Sequence, residues 1–521
     1  MVILKFQYDK NKVALAKKIG GGKFNKEKKY WEYPNYLLDD VKKSGIGDVS
    51  LVDENKCYDK YEICPFITKP FEHQKLALGE ALKRNGYALF CETGTGKTKI
   101  ALDCATIRMS NHLIQKVLIV CPKTGVGVWE EEIEKHTKMY YTSLIGTKAE
   151  RQFKLSEFLS LGLFAIINYE GLLVLEEELK KCVDEKWMLI LDESTWIKNP
   201  KKSQSQRTAI AIDLAKKSKY RMILSGAPIL NNIMDIFSQW FIVDVGEAFG
   251  FSWYKFRNDF FIPSYMNFNW TPKKELYMYV EEVLEKASIR ILKKNCLDLP
   301  EKIYEKRFIE MDERQGEVYE SMVENMLVFF EGKTISVDVV IAQMTKLHQI
   351  ANGFMYQEDG SATRISNKKY NALMEILEEN PKSNTIIWTH FKEDMNFLYN
   401  KLCEKYYNVR RMDSKNATEI VKEYQNCMDK QIVLISNPKS CGYAITLTNT
   451  DIVIYYSNSF DAGERYQSED RCHRIGLKHS VVYLDLITKN TIEEKIINVL
   501  LQKQDLMKEV LDYKNFLKGK K

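Results

Sequence analysis

Residues 87–105 read YALFCETGTGKTKIALDCA, and the fold class follows from that run. Tyr87–Phe90 is short and apolar, as a buried strand is. Thr93, Gly94, Thr95 and Gly96 make a flexible turn, and the residues from Lys97 onward carry apolar side chains at helical spacing. Strand, glycine loop and helix in succession turn backbone N–H groups inward, with a helix N-terminus behind them, which is what a phosphate chain needs. Lys97 would reach the β- and γ-phosphates, and the Thr98 hydroxyl would ligate Mg²⁺. Cys91 occupies the place of the usual first glycine of such a loop.

Further strand-like runs flank this one. KVLIVCP (116–122), FAIINYE (164–170), WMLILDES (187–194) and YRMILSGAP (220–228) each end in a polar loop. TIIWTH (385–390), QIVLISNP (431–438), DIVIYYS (451–457) and VVYLDLI (481–487) repeat the pattern. Continuous apolar strands separated by helical stretches predict an α/β fold with parallel sheets covered on both faces. We expect a basic unit at 1–60, a nucleotide-binding lobe at 61–245, a helical insertion at 246–365, a second lobe at 366–490 and a C-terminal brace helix at 491–521.

The 521 residues suit three or four domains, and 45% hydrophobic with 28% charged residues excludes a disordered chain. No apolar run reaches the ~18–20 residues of a membrane span, and MVILKFQYDK is not a secretory signal. The expectation is a soluble, cytoplasmic protein without a membrane partner. Eleven scattered cysteines without a CxxC pair argue against a disulfide framework or a thiolate zinc site. The net charge of +6 decides little, but nine lysines between Lys5 and Lys29 are opposed only by Asp9 and Glu27. Such a unit could bind phosphates.

Two more signals bear on chemistry. Asp192 and Glu193 close the run WMLIL, where paired acids suit a nucleotide site on an open parallel sheet. Asp192 would hold Mg²⁺, and Glu193 would orient and deprotonate an attacking water. In QSEDRCHRIG (467–476), Arg471 and Arg474 are three apart and share a helix face. Two guanidiniums so placed call for an anion, and a γ-phosphate is suitable.

These motifs together resemble the superfamily-two helicases, specifically the Swi/Snf-type DNA translocases, over about residues 66–510. PFEHQ (70–74) is similar to the family's adenine-reading segment, with Gln74 as reader; ETGTGKT is its phosphate loop. LIVCPKTGVGVWEEEIEKH (118–136), LDESTWIKNPKKSQSQ (191–206), LSGAPILNN (224–232), SNPKSCGYAITLTNTDIVIYYSNSF (436–460) and QSEDRCHRIG resemble its further motifs in order. TIEEKII (491–497) resembles the bracing helix. Ser194 and Thr195 stand where the family has Ala and His. The resemblance implies two RecA-like lobes, ATP and Mg²⁺, arginines 471 and 474 acting on the phosphate with Gln467 beside them, and duplex or forked DNA touched at Lys123, Tyr169, Thr389, Gly442 and Thr446. IGGGKFNKEKKYWEYP (19–34) resembles the HARP module of annealing helicases, implying DNA contact by Lys23 and Trp31, though Trp31 could equally be the core of a small hairpin. The implied activity is ATP-dependent movement along DNA, or its reannealing. A strand-separating helicase, an ATP-binding DNA scaffold and an RNA motor remain as alternatives. Lys-, Asn- and Ile-rich usage and compact length suit a bacterial or phage protein.

Overall fold

The computed structural model describes residues 2–6, 9–19, 23–25, 30–33, 38–51, 66–197, 206–229, 233–263, 270–296, 299–330, 337–357, 359–406, 408–413, 416–427, 431–439, 445–474 and 476–511. Two units partition the chain, one from Met1 to Leu297 with Val510–Lys521, the other Asp298–Glu509.

At the N-terminus, β1 (Val2–Lys5), β2 (Lys23–Asn25), β3 (Tyr30–Tyr33) and β4 (Asp48–Leu51) form an antiparallel sheet in the order β2-β3-β1-β4. Leu4, Trp31 and Tyr33 point to one side and pack on Ala16 and Val41 from the helices Lys10–Ile19 and Leu38–Lys43, and on Ile46 from the turn before β4. The Tyr33 hydroxyl donates to Ala16 O at 2.7 Å.

The main sheet of the first unit contains β5 (Gly86–Cys91), β6 (Lys116–Cys121), β7 (Tyr141–Ser143), β8 (Phe164–Asn168), β9 (Trp187–Leu191) and β10 (Tyr220–Leu224). A small hairpin, β11 (Phe261–Pro263) and β12 (Trp270–Pro272), precedes β13 (Ser288–Ile291), which returns to the main sheet. The order is β13-β5-β10-β9-β6-β8-β7, with every pairing parallel. β5, β6, β8 and β9 are buried throughout apart from the first residues of β5 and β6, which explains their unbroken apolar sequence. Ile100, Ala101, Cys104 and Ala105 of the helix Lys97–Ser110 pack against Leu89, Ile119, Ile190 and Leu224 of the sheet.

The second unit begins with β14 (Lys302–Ile309) and a short hairpin, β15 (Phe354–Tyr356) with β16 (Ala362–Arg364). β17 (Thr385–Trp388), β18 (Val409–Met412), β19 (Val433–Ser436), β20 (Ile452–Tyr455) and β21 (Val481–Thr488) complete a parallel sheet ordered β14-β21-β20-β17-β19-β18. Alternate residues enter separate cores: Ile387, Ile435 and Ile454 on one face, Ile386, Leu434 and Val453 on the other. The stretch 246–365, expected as a helical insertion, holds helices but also β13 and β14, one joining each main sheet. Their short runs SIRI and KIYEKRFI carry too much charge to read as buried strands. Among the described residues no helix is long and apolar enough to cross a membrane.

Candidate functional site

Adjacent strands β5, β10 and β9 deliver three loops to one edge of the first sheet. Leu89 pairs with Leu224 and Ile223 with Leu191, so the strands end nearly level. The loops that follow carry Glu92–Gly96, Ser225–Pro228 and Asp192–Trp196. The carboxyl ends of parallel strands are where such sheets hold ligands.

In the first loop Gly94 and Gly96 both adopt φ +89°, a left-handed conformation open to glycine. A Cβ on Gly96 would also lie 2.1 Å from Gln74 Nε2, so backbone conformation and close approach both demand glycine. Thr95 Oγ1 donates to Glu92 O at 2.7 Å. Glu92 fixes the loop's start: its N–H donates to Ile291 O at 2.9 Å, and its Oε2 accepts from Lys293 N at 2.6 Å. The Lys97 ammonium is buried and donates to Cys91 O at 3.0 Å. Thr98 follows, half-buried in the helix's first turn, and Thr93 lies across from Gly226. A Cβ on Gly226 would sit 3.5 Å from Thr93 Oγ1 and 3.7 Å from Lys97 Nζ, so the missing side chain keeps a space open above the loop. Gln74, expected to read adenine, accepts from Phe71 N at 2.9 Å and donates to Thr95 O at 3.2 Å. It supports the phosphate loop from the helix Glu72–Leu82.

The acidic loop is held from several sides. Asp192 N donates to Val120 O at 2.8 Å, continuing the sheet ladder. Its Oδ2 accepts from Trp129 Nε1 at 2.9 Å, its Oδ1 from Glu193 N at 3.0 Å, and its carbonyl from the Tyr169 hydroxyl at 2.8 Å. Burial pushes the Asp192 carboxyl up, while the Lys97 charge and the Trp129 hydrogen bond draw it back down. Glu193 turns at φ +48°, uncommon for a residue with a side chain. Ser194 is buried and donates to Gln239 Oε1 at 2.7 Å. Lys97, the Thr98 hydroxyl and the Asp192 carboxylate are a cation and two hard oxygen donors beside a cradle that a single Cβ would fill. That donor set fits a nucleotide's phosphates and a divalent cation.

Arg471 and Arg474 belong to the second unit. Arg471 is buried, donates from Nη2 to Pro438 O at 2.8 Å and lies 5.3 Å from the Trp388 ring centroid. Arg474 Nη1 donates to Thr446 Oγ1 at 2.9 Å. Gln467 is half-buried on the same helix, Ala462–Cys472. That helix starts on an Asp461 cap that accepts from Gly463 N at 2.8 Å. It is tied to the sheet through Arg465, whose guanidinium lies 3.4 Å from the Tyr455 ring centroid and pairs with the Asp485 carboxylate. Glu469 accepts from Arg465 Nε at 2.8 Å, Lys302 Nζ at 3.0 Å and the Tyr304 hydroxyl at 2.7 Å. Burial alone would raise Glu469; Lys302 and Arg465 overcome it and hold the carboxyl at about 2.

Several residues expected to touch DNA are engaged within the protein. Tyr169 is fully buried, a strut stacked on Trp196 at 5.7 Å, with Arg207 over the other ring of that pair. Thr389 is fully buried and its hydroxyl faces Ser436 O. Trp31, 7% exposed, belongs to the core of the N-terminal sheet and offers no face to a base. Thr446 is engaged by Arg474. Lys123 is exposed in the turn Lys123–Gly125 after β6. The Lys23 side chain, Gly442, and the segment Lys198–Asn199 lie outside the described residues. Sequence reading gave no role to Glu92 or Gln239. For Gln239 a signal existed: it is the only amide in the apolar helix IFSQWFIVD.

These loops define a phosphate-loop nucleotide-binding protein built on parallel sheets. The SNF2-related domain profile matches residues 30–427, and the chain belongs to that family of DNA-dependent ATPases. It is 26% identical over 463 residues to the SWI/SNF-related matrix-associated actin-dependent regulator of chromatin subfamily A-like protein 1 homolog of Caenorhabditis elegans, covering 85% of this chain and 62% of that one. It is 23% identical over 473 residues to protein p41 of Acyrthosiphon pisum secondary endosymbiont phage 1, covering 86% and 99%. Among solved structures, the Sulfolobus solfataricus SWI2/SNF2 ATPase core in complex with dsDNA matches with a TM-score of 0.41 and 24% identity, covering 86% of this chain and 94% of that one.

Proposed function

We propose that this chain hydrolyses ATP at the β5–β10–β9 edge to move along duplex or forked DNA. The observation that supports the reading is that buried Lys97 faces Gly226 and its charge acts on the Asp192 carboxyl, which Glu193 directly follows. Lys97 exchanges the Cys91 carbonyl for phosphate oxygens when ATP enters. Thr98 and Asp192 hold Mg²⁺, which supplies neutralising charge on the phosphates. Glu193 takes a proton from water as its oxygen bonds to the γ-phosphorus; the bond to the β,γ-bridging oxygen breaks, and ADP and phosphate result. Arg471 and Arg474 supply two guanidiniums suited to the charge of a phosphoryl group. Gln74 and Gln467 contribute to nucleotide binding.

Support for DNA as the track comes from family membership and from the exposed Lys123. The N-terminal unit adds exposed Lys5, Lys12, Lys17, Lys42 and Lys43, suited to phosphate contact at a fork or during reannealing. The test is ATPase activity without nucleic acid and with single-stranded, duplex and forked DNA, and with duplex RNA. Stimulation by duplex and forked DNA is expected; equal rates in every arm would sink the translocase reading and leave an ATP-binding scaffold.

A further inference from the structure

Gln239 lies on the helix Ile236–Asp244, among Ile236, Phe237, Trp240, Phe241, Ile242 and Val243, and is fully buried. A buried amide in such surroundings is stable only when its groups are paired. Its three hydrogen-bond partners belong to the active-site edge or its immediate continuation. Oε1 accepts from Ser194 Oγ at 2.7 Å; Nε2 donates to Pro228 O at 2.8 Å and to Asp235 O at 3.2 Å. The polarity of the amide is therefore fixed, oxygen toward the hydroxyl and nitrogen toward two carbonyls. One side chain spans the loop after β9 and the loop after β10.

The residue it fixes on the β9 side directly follows Glu193, whose φ of +48° is held against its own preference. Upstream, Asp192 is pinned by Val120, Trp129 and Tyr169. Downstream, Ser194 and Gln239 supply the anchor on the other flank. On the β10 side, Pro228 lies two residues from Gly226, which faces Lys97. We propose that Gln239 is a positioning residue for ATP hydrolysis. Through Ser194 it sets the direction of the Glu193 carboxylate, and through Pro228 it keeps the acidic loop in register with the loop above the phosphates. Ser194 Oγ is half of the same device, which gives the serine in DEST a task here.

This inference rests on Glu193 acting as the base, so Glu193→Gln is the reference variant. The experiment measures DNA-stimulated kcat and KM for ATP, affinity for a fluorescent ATP analogue, and thermal stability, in the full chain. The variants are Gln239→Met, Ser194→Ala and the double variant. Each single change should lower kcat about tenfold with KM and analogue affinity unchanged, as loss of a supporting contact does. The double variant should be no slower than either single one, because both break one link. A merely structural role would instead lower thermal stability and move KM with kcat. Should Gln239→Met fail to fold, Ser194→Ala, which deletes one hydroxyl, carries the same comparison. Wild-type kcat in Ser194→Ala, or multiplied losses in the double variant, would overturn the proposal. Wild-type turnover in Glu193→Gln would instead overturn the site reading on which it stands.

Discussion

Lys97 is a buried cation that donates to the Cys91 carbonyl and whose charge acts on the Asp192 carboxyl. Lys97→Ala should reduce ATP turnover by about 10²-fold or more, the scale of losing one charge-stabilising donor. A steady-state ATPase assay decides it, and wild-type turnover would remove Lys97 from the site. Gly226→Ala probes the space directly. The added methyl would meet its neighbours at 3.5 Å or more, ordinary contact, so stability should change by less than about 1 kcal/mol. ATP affinity should nevertheless fall, because the methyl fills room needed by phosphate; unchanged affinity in a binding titration would count against the cradle. Lys97, Thr98, Asp192 and Glu193 were legible in the sequence because each sits at a fixed offset from a strand end. Trp129 and Tyr169 were not legible as Asp192's partners. Those contacts join residues 63 and 23 positions apart and exist only once β6, β8 and β9 are in register.

At the scale of elements, the helix Ala462–Cys472 depends on an ion cluster rather than on apolar packing. Arg465 is buried with Asp485 and Glu469 as its counter-charges. Asp485→Ala would leave that guanidinium with Glu469 alone and should destabilise the second unit by about 3 kcal/mol, measurable by urea unfolding. A loss under about 1 kcal/mol would show that water replaces the carboxylate freely. A second buried acid gives a pH dependence. Asp394, on the helix Lys392–Cys403, is pushed up to about 7 by burial, only partly offset by Arg364 and Lys369 and reinforced by Glu493 and Glu393. A carboxyl raised on folding stabilises most below its ordinary value near 4, and that stability is lost as pH climbs through about 7. Asp394→Asn should therefore flatten the stability profile between about pH 4 and 8; a profile as steep as wild type would place the titration elsewhere. The buried strands of both sheets were readable as apolar runs. β13 and β14 were not, because edge strands keep charged side chains on their open faces.

For the molecule as a whole, the N-terminal sheet has its own small core, and the phosphate loop is held by Gln74, Ile291 and Lys293. Removing residues 1–60 should leave duplex-stimulated ATPase measurable and weaken action on forked DNA, with a deficit that grows with salt. Unchanged fork activity at two salt concentrations would reduce the segment to a packing appendage. Trp31→Ala should resemble the truncation, but by emptying the core between β3 and the helix Lys10–Ile19, not by losing a stacked base. The sequence pattern KKYWEY could not separate those two outcomes, since the same aromatic serves either purpose until its neighbours are known.

In the second unit the first strand pairs with the last: β14 runs beside β21 through eight residues, from Lys302 with Val481 to Ile309 with Thr488. During synthesis β14 leaves the ribosome roughly 180 residues ahead of β21, its one sheet neighbour among the described residues. At cellular elongation rates that is a wait of about 10–40 s, far longer than a hairpin needs to close. The second unit therefore cannot complete its sheet until Val481–Thr488 has been made and has left the ribosome. Lys302, Glu305, Lys306 and Arg307 are well placed to keep the waiting strand from pairing with another nascent chain. Ribosome-bound chains stalled before residue 481 should be cut by protease within the second unit, and the released chain should resist.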